Sequence, residues 1–348
     1  MNALNIVVVG PGLIGREHIR LIEERPDCRL AAIVAPDHAQ NHAVATEHGV
    51  PLFFGLDECI ARCAIDGVIV SSPNEFHAEQ AKRCLREGLP VLVEKPITSS
   101  VRDGEELVEQ VERTGGKLLV GHHRAHSPLL AKARQVIRSG RLGRLVSVMG
   151  SAQFYKPSGY FEAGPWRMRP GGGPILINLI HEIGNLRSLC GEITEVQAFS
   201  SSSVRGFPVE DTVSINFRFA NGALGNFMLS DTAVCARSWE QTSRENPAYP
   251  TYGDEDCYVV CGTRGYLSIP TFRLRHAPDG AEPSWWEPLV EEEVDVAREN
   301  PLACQLENFV QVIRGEAVPL VTAADGLRNL MITEAIARSA SECRVIAV

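Results

Sequence analysis

The stretch that most restricts the fold of this chain is NIVVVGPGLIGREHIRLIEERP, residues 5–26. A β-branched run leads into Gly10-x-Gly12-x-x-Gly15, and a helical pattern follows that Pro26 closes. Alone, such a glycine pattern says little, but between a strand and a helix each glycine has a task. Gly10 allows the turn, Gly12 lets backbone approach a pyrophosphate, and Gly15 lets helix and strand pack closely. The same reading puts Leu13 and Ile14, between the last two glycines, beside the bound phosphates.

Apolar runs recur at LAAIV (30–34), DGVIVSS (66–72), PVLVEKP (90–96) and KLLVGHH (117–123), with helical patterns between them. Near-continuous apolar strands alternating with helices predict an α/β fold with a doubly wound parallel sheet covered on both faces. Ligands of such sheets bind at the carboxyl ends of the strands. That rule selects Ser71, Ser72, Pro73 and Asn74, with His77 just beyond, then Glu94, Lys95 and Pro96, then His122 and His123. An acidic residue about 20 positions past the glycines would hold the ribose hydroxyls of NAD. Asp37 either takes that role or caps the helix that starts with HAQN. No arginine stands nearby to hold a 2′-phosphate, so the cofactor reads as NAD or NADP, with NAD favoured.

A chain of 348 residues suggests about two domains. With 44% hydrophobic and 22% charged residues it has the make-up of a folded globular protein. A net charge of -9 argues against the basic face that a nucleic-acid partner needs, so small molecules are the expected partners. No export signal leads the sequence and no apolar run reaches the roughly 18 residues that span a bilayer, which predicts a cytoplasmic protein with no membrane partner. The ten cysteines are scattered, and their closest pairs, Cys59/Cys63 and Cys257/Cys261, lack the C-x-x-C spacing of zinc sites, so reduced thiols are expected. His122, His123 and His126 straddle a predicted strand end with no carboxylate or cysteine close by, and no metal is assigned to them.

The second half contains GGGPILINLIHEIGNLR, residues 171–187. Pro174 suits the first helical position. Asn178, His181 and Asn185 then fall at spacings of three and four, on one face of a helix otherwise apolar on nearly every side. Leucine would be the less costly residue at all three places in a core, so the stripe is expected to wall an active site, with the triple glycine letting backbone approach cofactor or substrate. Arg124 is a further candidate contact, and Trp166-Arg167 could add a cation–π wall. The stretch 235–256, with Trp239, Tyr249 and Tyr252, is long for a connection and reads as a lid or an oligomer contact.

In this order, GPGLIG, SSPNEFH, VEKPIT, GHHR and GGGPILINLIHEI resemble the Gfo/Idh/MocA oxidoreductases, the family of glucose–fructose oxidoreductase and myo-inositol dehydrogenase. The resemblance covers essentially the whole chain. It implies a Rossmann domain, placed at 1–123, and an α+β domain with a large, mostly antiparallel sheet, placed at 124–348. The later sequence agrees independently, with hairpin patterns in DTVSINFRFANGALGNFMLSD around Asn221-Gly222 and in DCYVVCGTRGYLSI. Helical patterns at about 301–314 and 322–341 lead to a tail, CRVIAV, expected to add a strand or pack back on the first domain.

The resemblance also implies that Lys95 and His181 lie beside the nicotinamide ring. A lysine there can polarise a substrate oxygen, and a histidine, which titrates near neutral pH, can move the hydroxyl proton. The family's usual aspartate four residues before the histidine is Ile177 here, and Gly184 replaces the acid often found three residues after it, so the family's proton relay does not carry over whole. The expected activity is hydride transfer between a secondary alcohol or hemiacetal carbon of a sugar or cyclitol and the nicotinamide. Reduction of a carbonyl, imine or conjugated double bond on a less polar substrate, which Ile177 favours, is one alternative. A dinucleotide-binding regulator without turnover is another, and the retention of both Lys95 and His181 speaks against it. One face of the second sheet has too few helices to cover it, which predicts a homodimer or homotetramer.

Overall fold

The computed structural model describes residues 3–348. It divides into two compact units, one running through His126 and taking in Pro301–Leu330, the other comprising Ser127–Asn300 and Met331–Val348.

The first unit carries strands β1 (Leu4–Val9), β2 (Cys28–Val34), β3 (Leu52–Phe53), β4 (Gly67–Val70), β5 (Val91–Glu94) and β6 (Leu118–Gly121). Helices α1 (Leu13–Glu23), α2 (Ala39–Glu47), α3 (Leu56–Arg62), α4 (His77–Arg86) and α5 (Val101–Thr114) connect them. The strands form one parallel sheet in the order β3-β2-β1-β4-β5-β6. The order reverses between β1 and β4, and that is where a doubly wound sheet opens a crevice for a dinucleotide. Ile6, Val7, Val8, Val68, Ile69, Val70 and Leu92 are wholly inaccessible, which is why these strands read as unbroken apolar runs rather than alternating ones.

The second unit begins with α6 (Pro128–Arg138), β7 (Leu145–Gln153), α7 (Ser158–Glu162) and α8 (Ile180–Cys190). Strands β8 (Ile193–Ser201), β9 (Thr212–Phe219) and β10 (Leu224–Ser230) follow, then a short α9 (Trp239–Thr242). Strands β11 (Tyr258–Gly262), β12 (Gly265–Ile269), β13 (Arg273–His276) and β14 (Val290–Glu293) come next. Helices α10 (Pro301–Arg314) and α11 (Ala323–Glu342) and strand β15 (Ile346–Ala347) end the chain. The nine-stranded sheet runs β14-β13-β12-β11-β7-β10-β9-β8-β15, and only the β7/β10 pair is parallel. Both expected hairpins form, β9/β10 around Asn221-Gly222 and β11/β12 around Thr263-Arg264. One sheet face packs Val196, Ile215, Phe217, Phe227, Val260 and Leu267 into a core shared with Leu179, just before α8, Ile183 and Leu186 of α8, and Ile332 and Ile336 of α11.

Three expectations change. The boundary lies at 126/127 rather than 123/124, because the turn His123–His126 stays with the first unit. Its return segment is α10 with the start of α11: a Cβ added at Gly67 of β4 would stand 2.6 Å from Ile313 and 3.2 Å from Phe309 of α10. A helix's apolar stripe does not say which sheet it will cover. The tail adds a strand, one of the two outcomes expected of it, with β15 pairing with β8. The 235–256 stretch is tied down at its centre, with Trp239 buried, its Nε1 donating to Glu245 at 2.8 Å and its ring 6.0 Å from that of Tyr258. All ten cysteines are free thiols. Among the described residues no helix is long and apolar enough to cross a membrane and no cluster of three or more His, Cys, Asp or Glu could hold a metal.

Gly222 sits at φ +87° in the β9/β10 turn, a conformation that costs an L-residue roughly 1–2 kcal/mol. Gly222→Ala is therefore expected to lower the melting temperature of the second unit by about 2–8 °C in calorimetry, with dinucleotide affinity unchanged.

Candidate active site

The site in the first unit starts from two close approaches. Gly10 has φ +85°, and a Cβ there would stand 2.7 Å from Ser72 Cα; a Cβ at Gly15 would stand 2.1 Å from the Gly10 carbonyl oxygen. Ser71 Oγ seals this contact, donating to the carbonyls of Gly10 at 2.8 Å or Val9 at 3.1 Å. Gly12 differs, since nothing lies within 4 Å of the Cβ position there. Gly10 and Gly15 answer to the chain itself; the space beside Gly12 is open to something from outside. Gly12 also begins α1 without a side-chain cap, and the first turn carries no acid, so its N–H groups form an unanswered positive end. Leu13 beside it is 87% exposed. These features fit a dinucleotide pyrophosphate seated on the helix start.

Several residues chosen by the strand-end rule face inward instead. Ser71 is one. Ser72 Oγ donates to Gln80 Oε1 at 2.6 Å. His77 is buried with its ring nitrogens 2.8 Å from the carbonyls of Ser72 and Pro96, so it ties the loop after β4 to the loop after β5 rather than facing a ligand. Burial holds its pKa below the ordinary value, and the neutral ring has one N–H to share between those carbonyls. Glu94 is buried too, accepting from His18 Nε2 at 2.8 Å and from the Lys95 backbone at 3.2 Å. His122 is buried near the Asn329 amide. Asp37 stays at the surface with its carboxylate 2.8 Å from His42 Nε2, and α2 starts at His38 without a side-chain cap, so the capping alternative does not hold.

Pro73 and Asn74 begin a short 3-10 turn over residues 74–76 on the rim, and Lys95, half-buried, follows directly after β5. His123 is half-buried; burial, and then the charges of Arg124 and Lys95, hold it well below its ordinary pKa, so it is neutral near pH 7. Arg124 itself is buried rather than at the surface.

In the second unit, the helix of the 171–187 stretch opens with a π turn, Ile175–Leu179, and continues as α8. The triple glycine has reasons inside the chain. Gly171 takes φ +86°, a Cβ at Gly172 would lie 2.3 Å from the Trp166 carbonyl, and one at Gly173 would lie 2.2 Å from Glu210 Oε1. The glycines thus admit neighbouring protein, not ligand. Glu210 accepts from the Ile175 backbone at 2.9 Å and so holds the start of the helix. The polar stripe divides. Asn185 belongs to the core: it is 1% exposed and donates to Tyr258 Oη at 3.0 Å, and that hydroxyl in turn donates to buried Glu182. Asn178 is half-buried and its Oδ1 accepts from Lys156 at 2.7 Å. His181, three residues further, is buried.

Trp166 is largely exposed, and the Arg167 guanidinium stacks 3.9 Å over Tyr160, closer than its 5.5 Å to Trp166, so the cation–π pair forms with a residue the sequence reading passed over. Lys156 was also missed. The signal available was a lysine just past a strand end, flanked by aromatics in FYKPSGYF.

A parallel sheet with a dinucleotide cradle, in a chain whose second unit is a large antiparallel sheet bearing a buried histidine on its central helix, defines a nicotinamide-nucleotide oxidoreductase. Residues 4–122 match the oxidoreductase family NAD-binding Rossmann fold, and residues 130–268 match the GFO/IDH/MocA C-terminal domain. The chain belongs to the Gfo/Idh/MocA family and is an NAD(P)-dependent oxidoreductase acting on a small molecule. It is 27% identical to the rhizopine catabolism protein MocA of Rhizobium meliloti, over 96% of this chain and 94% of that one. It is 26% identical to the scyllo-inositol 2-dehydrogenase (NAD(+)) of Bacillus subtilis, over 93% and 90%. Among solved structures, the aldose-aldose oxidoreductase from Caulobacter crescentus complexed with glycerol superposes with TM-score 0.79 at 25% identity over the full length of both chains.

Burial, reinforced by Asp231, raises the pKa of Glu210, so the folded state holds its proton more tightly than the unfolded chain does. The carboxyl therefore favours folding below the unfolded pKa of about 4.3, and that contribution is lost as pH rises through the raised folded value. The melting temperature of Glu210→Gln relative to wild type should accordingly climb between about pH 4 and pH 8; a flat difference would mean the carboxyl is not held out of water.

Proposed function

We propose that this enzyme moves hydride between a secondary alcohol or hemiacetal carbon of a sugar or cyclitol and NAD, with NADP as the alternative nucleotide. The observation that carries the reading is the open, uncapped start of α1 beside Gly12, in the same unit as Lys95 at the end of β5. The relatives support the substrate class, since they include inositol dehydrogenases and a 1,5-anhydro-D-fructose reductase.

Gly10, Gly12, Leu13, Ile14 and Gly15 would hold the pyrophosphate, with Pro73, Asn74 and Asp37 further along the nucleotide and Ser71, Ser72, His77, Glu94 and His122 behind them as support. Bound nicotinamide supplies the hydride acceptor. The Lys95 ammonium donates to the substrate oxygen and favours the alkoxide character that grows as the C–H bond breaks. His181 takes the hydroxyl proton in oxidation and returns it in reduction. His123, neutral beside Lys95, adds no positive charge there; Arg124, Trp166, Arg167 and Asn178 are our further candidates for substrate contacts. The isoleucine side chain at 177 offers His181 no hydrogen bond, so its orienting partner comes from elsewhere. We place the enzyme in the cytoplasm.

Lys95→Met and His181→Ala should each lower kcat by about 10²–10⁴ in a nucleotide-absorbance assay, with the melting temperature and dinucleotide affinity close to wild type. Early melting with normal turnover would make His181 a core residue instead.

We also propose a homodimer or homotetramer assembled through the second-unit sheet. Phe199, Met149, Leu224 and Met228 point from the face opposite the core and are 64%, 51%, 52% and 36% exposed. Light scattering at micromolar concentration should give a multiple of the 38.0 kDa chain mass; a monomer rejects the assembly.

A further inference from the structure

The amide of Asn178 has a fixed sense. Its Oδ1 lies 2.7 Å from Lys156 Nζ, and an ammonium has donors only, so the carbonyl end of the amide must face the lysine. The Nδ2 end then faces the other way, and no described residue accepts from it. Lys156 has little freedom to release its partner. It is 8% exposed, its Nζ lies 4.9 Å from the Tyr160 ring centre, 5.5 Å from that of Phe154 and 3.7 Å from Asp231 Oδ2, and its backbone donates to the Asp231 carbonyl at 2.9 Å. Asp231 is itself held by Arg205 Nε at 2.7 Å. The neighbouring carboxylates face backbone rather than the amide: Asp211 accepts from the N–H groups of Val204 and Arg205, and Glu210 from that of Ile175.

Three residues before His181 the helix thus offers an N–H pair, while position 177 offers only an isoleucine side chain. An aspartate at either place would accept from a substrate hydroxyl and repel a carboxylate. The arrangement present donates to a hydroxyl or a carboxylate oxygen alike and repels neither, and Lys156 tilts it toward the charged one. Lys156 also polarises the amide it grips, which makes the outward N–H groups better donors to a negative oxygen.

We infer that Asn178 donates to an oxygen of the substrate that can only accept, and that the substrate is a sugar acid whose carboxylate supplies it, with Lys156 as the positioning residue. This rests on the sugar-class reading of the site and narrows it. A charge-assisted hydrogen bond of this kind is expected to separate acid from neutral sugar by about 10-fold or more in affinity.

The test uses the full-length protein saturated with NADH for calorimetric binding, and with NAD for turnover. The probes are matched pairs: D-glucuronate with D-glucose, and D-galacturonate with D-galactose. The inference expects the acid to bind at least about 10-fold tighter in one pair, Asn178→Asp to reverse that preference, and Lys156→Met to cost the acid more than its neutral partner, with Lys156→Arg restoring it. Melting curves identify any variant that fails to fold, and the wild-type preference stands as a test without them. Equal or tighter binding of the neutral member in both pairs, no binding of either acid, or an unchanged preference in folded Asn178→Asp overturns it. Oxidation of a neutral sugar with the acid ignored would sink this inference and leave the sugar-oxidoreductase reading standing. Acid bound tightly with neither member oxidised would support the inference and sink that reading.

Discussion

The approach of α1 to the end of β1, close enough that a Cβ at Gly15 would lie 2.1 Å from the Gly10 carbonyl, is the contact on which the nucleotide site depends. It fixes where the helix begins. With Ser71 Oγ closing the inner side, the first-turn N–H groups have nowhere to turn but outward, and Gly12 leaves the space before them open. The same tightness passes to the neighbouring strands. His77 ties the turn after β4 to Pro96, and buried Glu94, held by His18 of α1, sets the backbone of Lys95. Lys95 is thus placed by a chain of buried contacts that starts at the glycines.

The second unit solves a similar problem with a carboxylate. Glu210 occupies the room that Gly173 leaves and accepts from the first N–H of the π turn, so the helix bearing His181 starts from a fixed point. Along that helix, burial sorts the polar residues. Asn185 and Glu182 find partners in Tyr258 and become core; Asn178, reached by Lys156, keeps one end of its amide for something else.

Most of the fold was legible because its signals are local. The glycines with their flanking strand and helix, the unbroken apolar strands and the Asn221-Gly222 turn each dictate structure over a few residues. The return of α10 to the first sheet was not legible, since an apolar stripe fits either sheet equally well. At the candidate site, the strand-end rule pointed to the loops after β4 and β5 but could not tell Lys95, past the strand, from Ser71 and His77, turned back into it, because facing in or out is decided by partners far away in sequence. Spacing put Asn178 and Asn185 on one stripe for the same reason: it reports the face of a helix, and only Tyr258 and Lys156, from distant elements, give the two asparagines different roles.

The central claim is that this chain moves hydride from a carbon of a sugar-class substrate to a nicotinamide. The most direct measurement incubates the enzyme and NAD with perdeuterated inositol, sugars and sugar acids and weighs the recovered nucleotide by mass spectrometry. The account predicts reduced nucleotide carrying one deuterium from the substrate carbon. Nucleotide that binds but is recovered oxidised with every substrate, or reduced without the label, would contradict it.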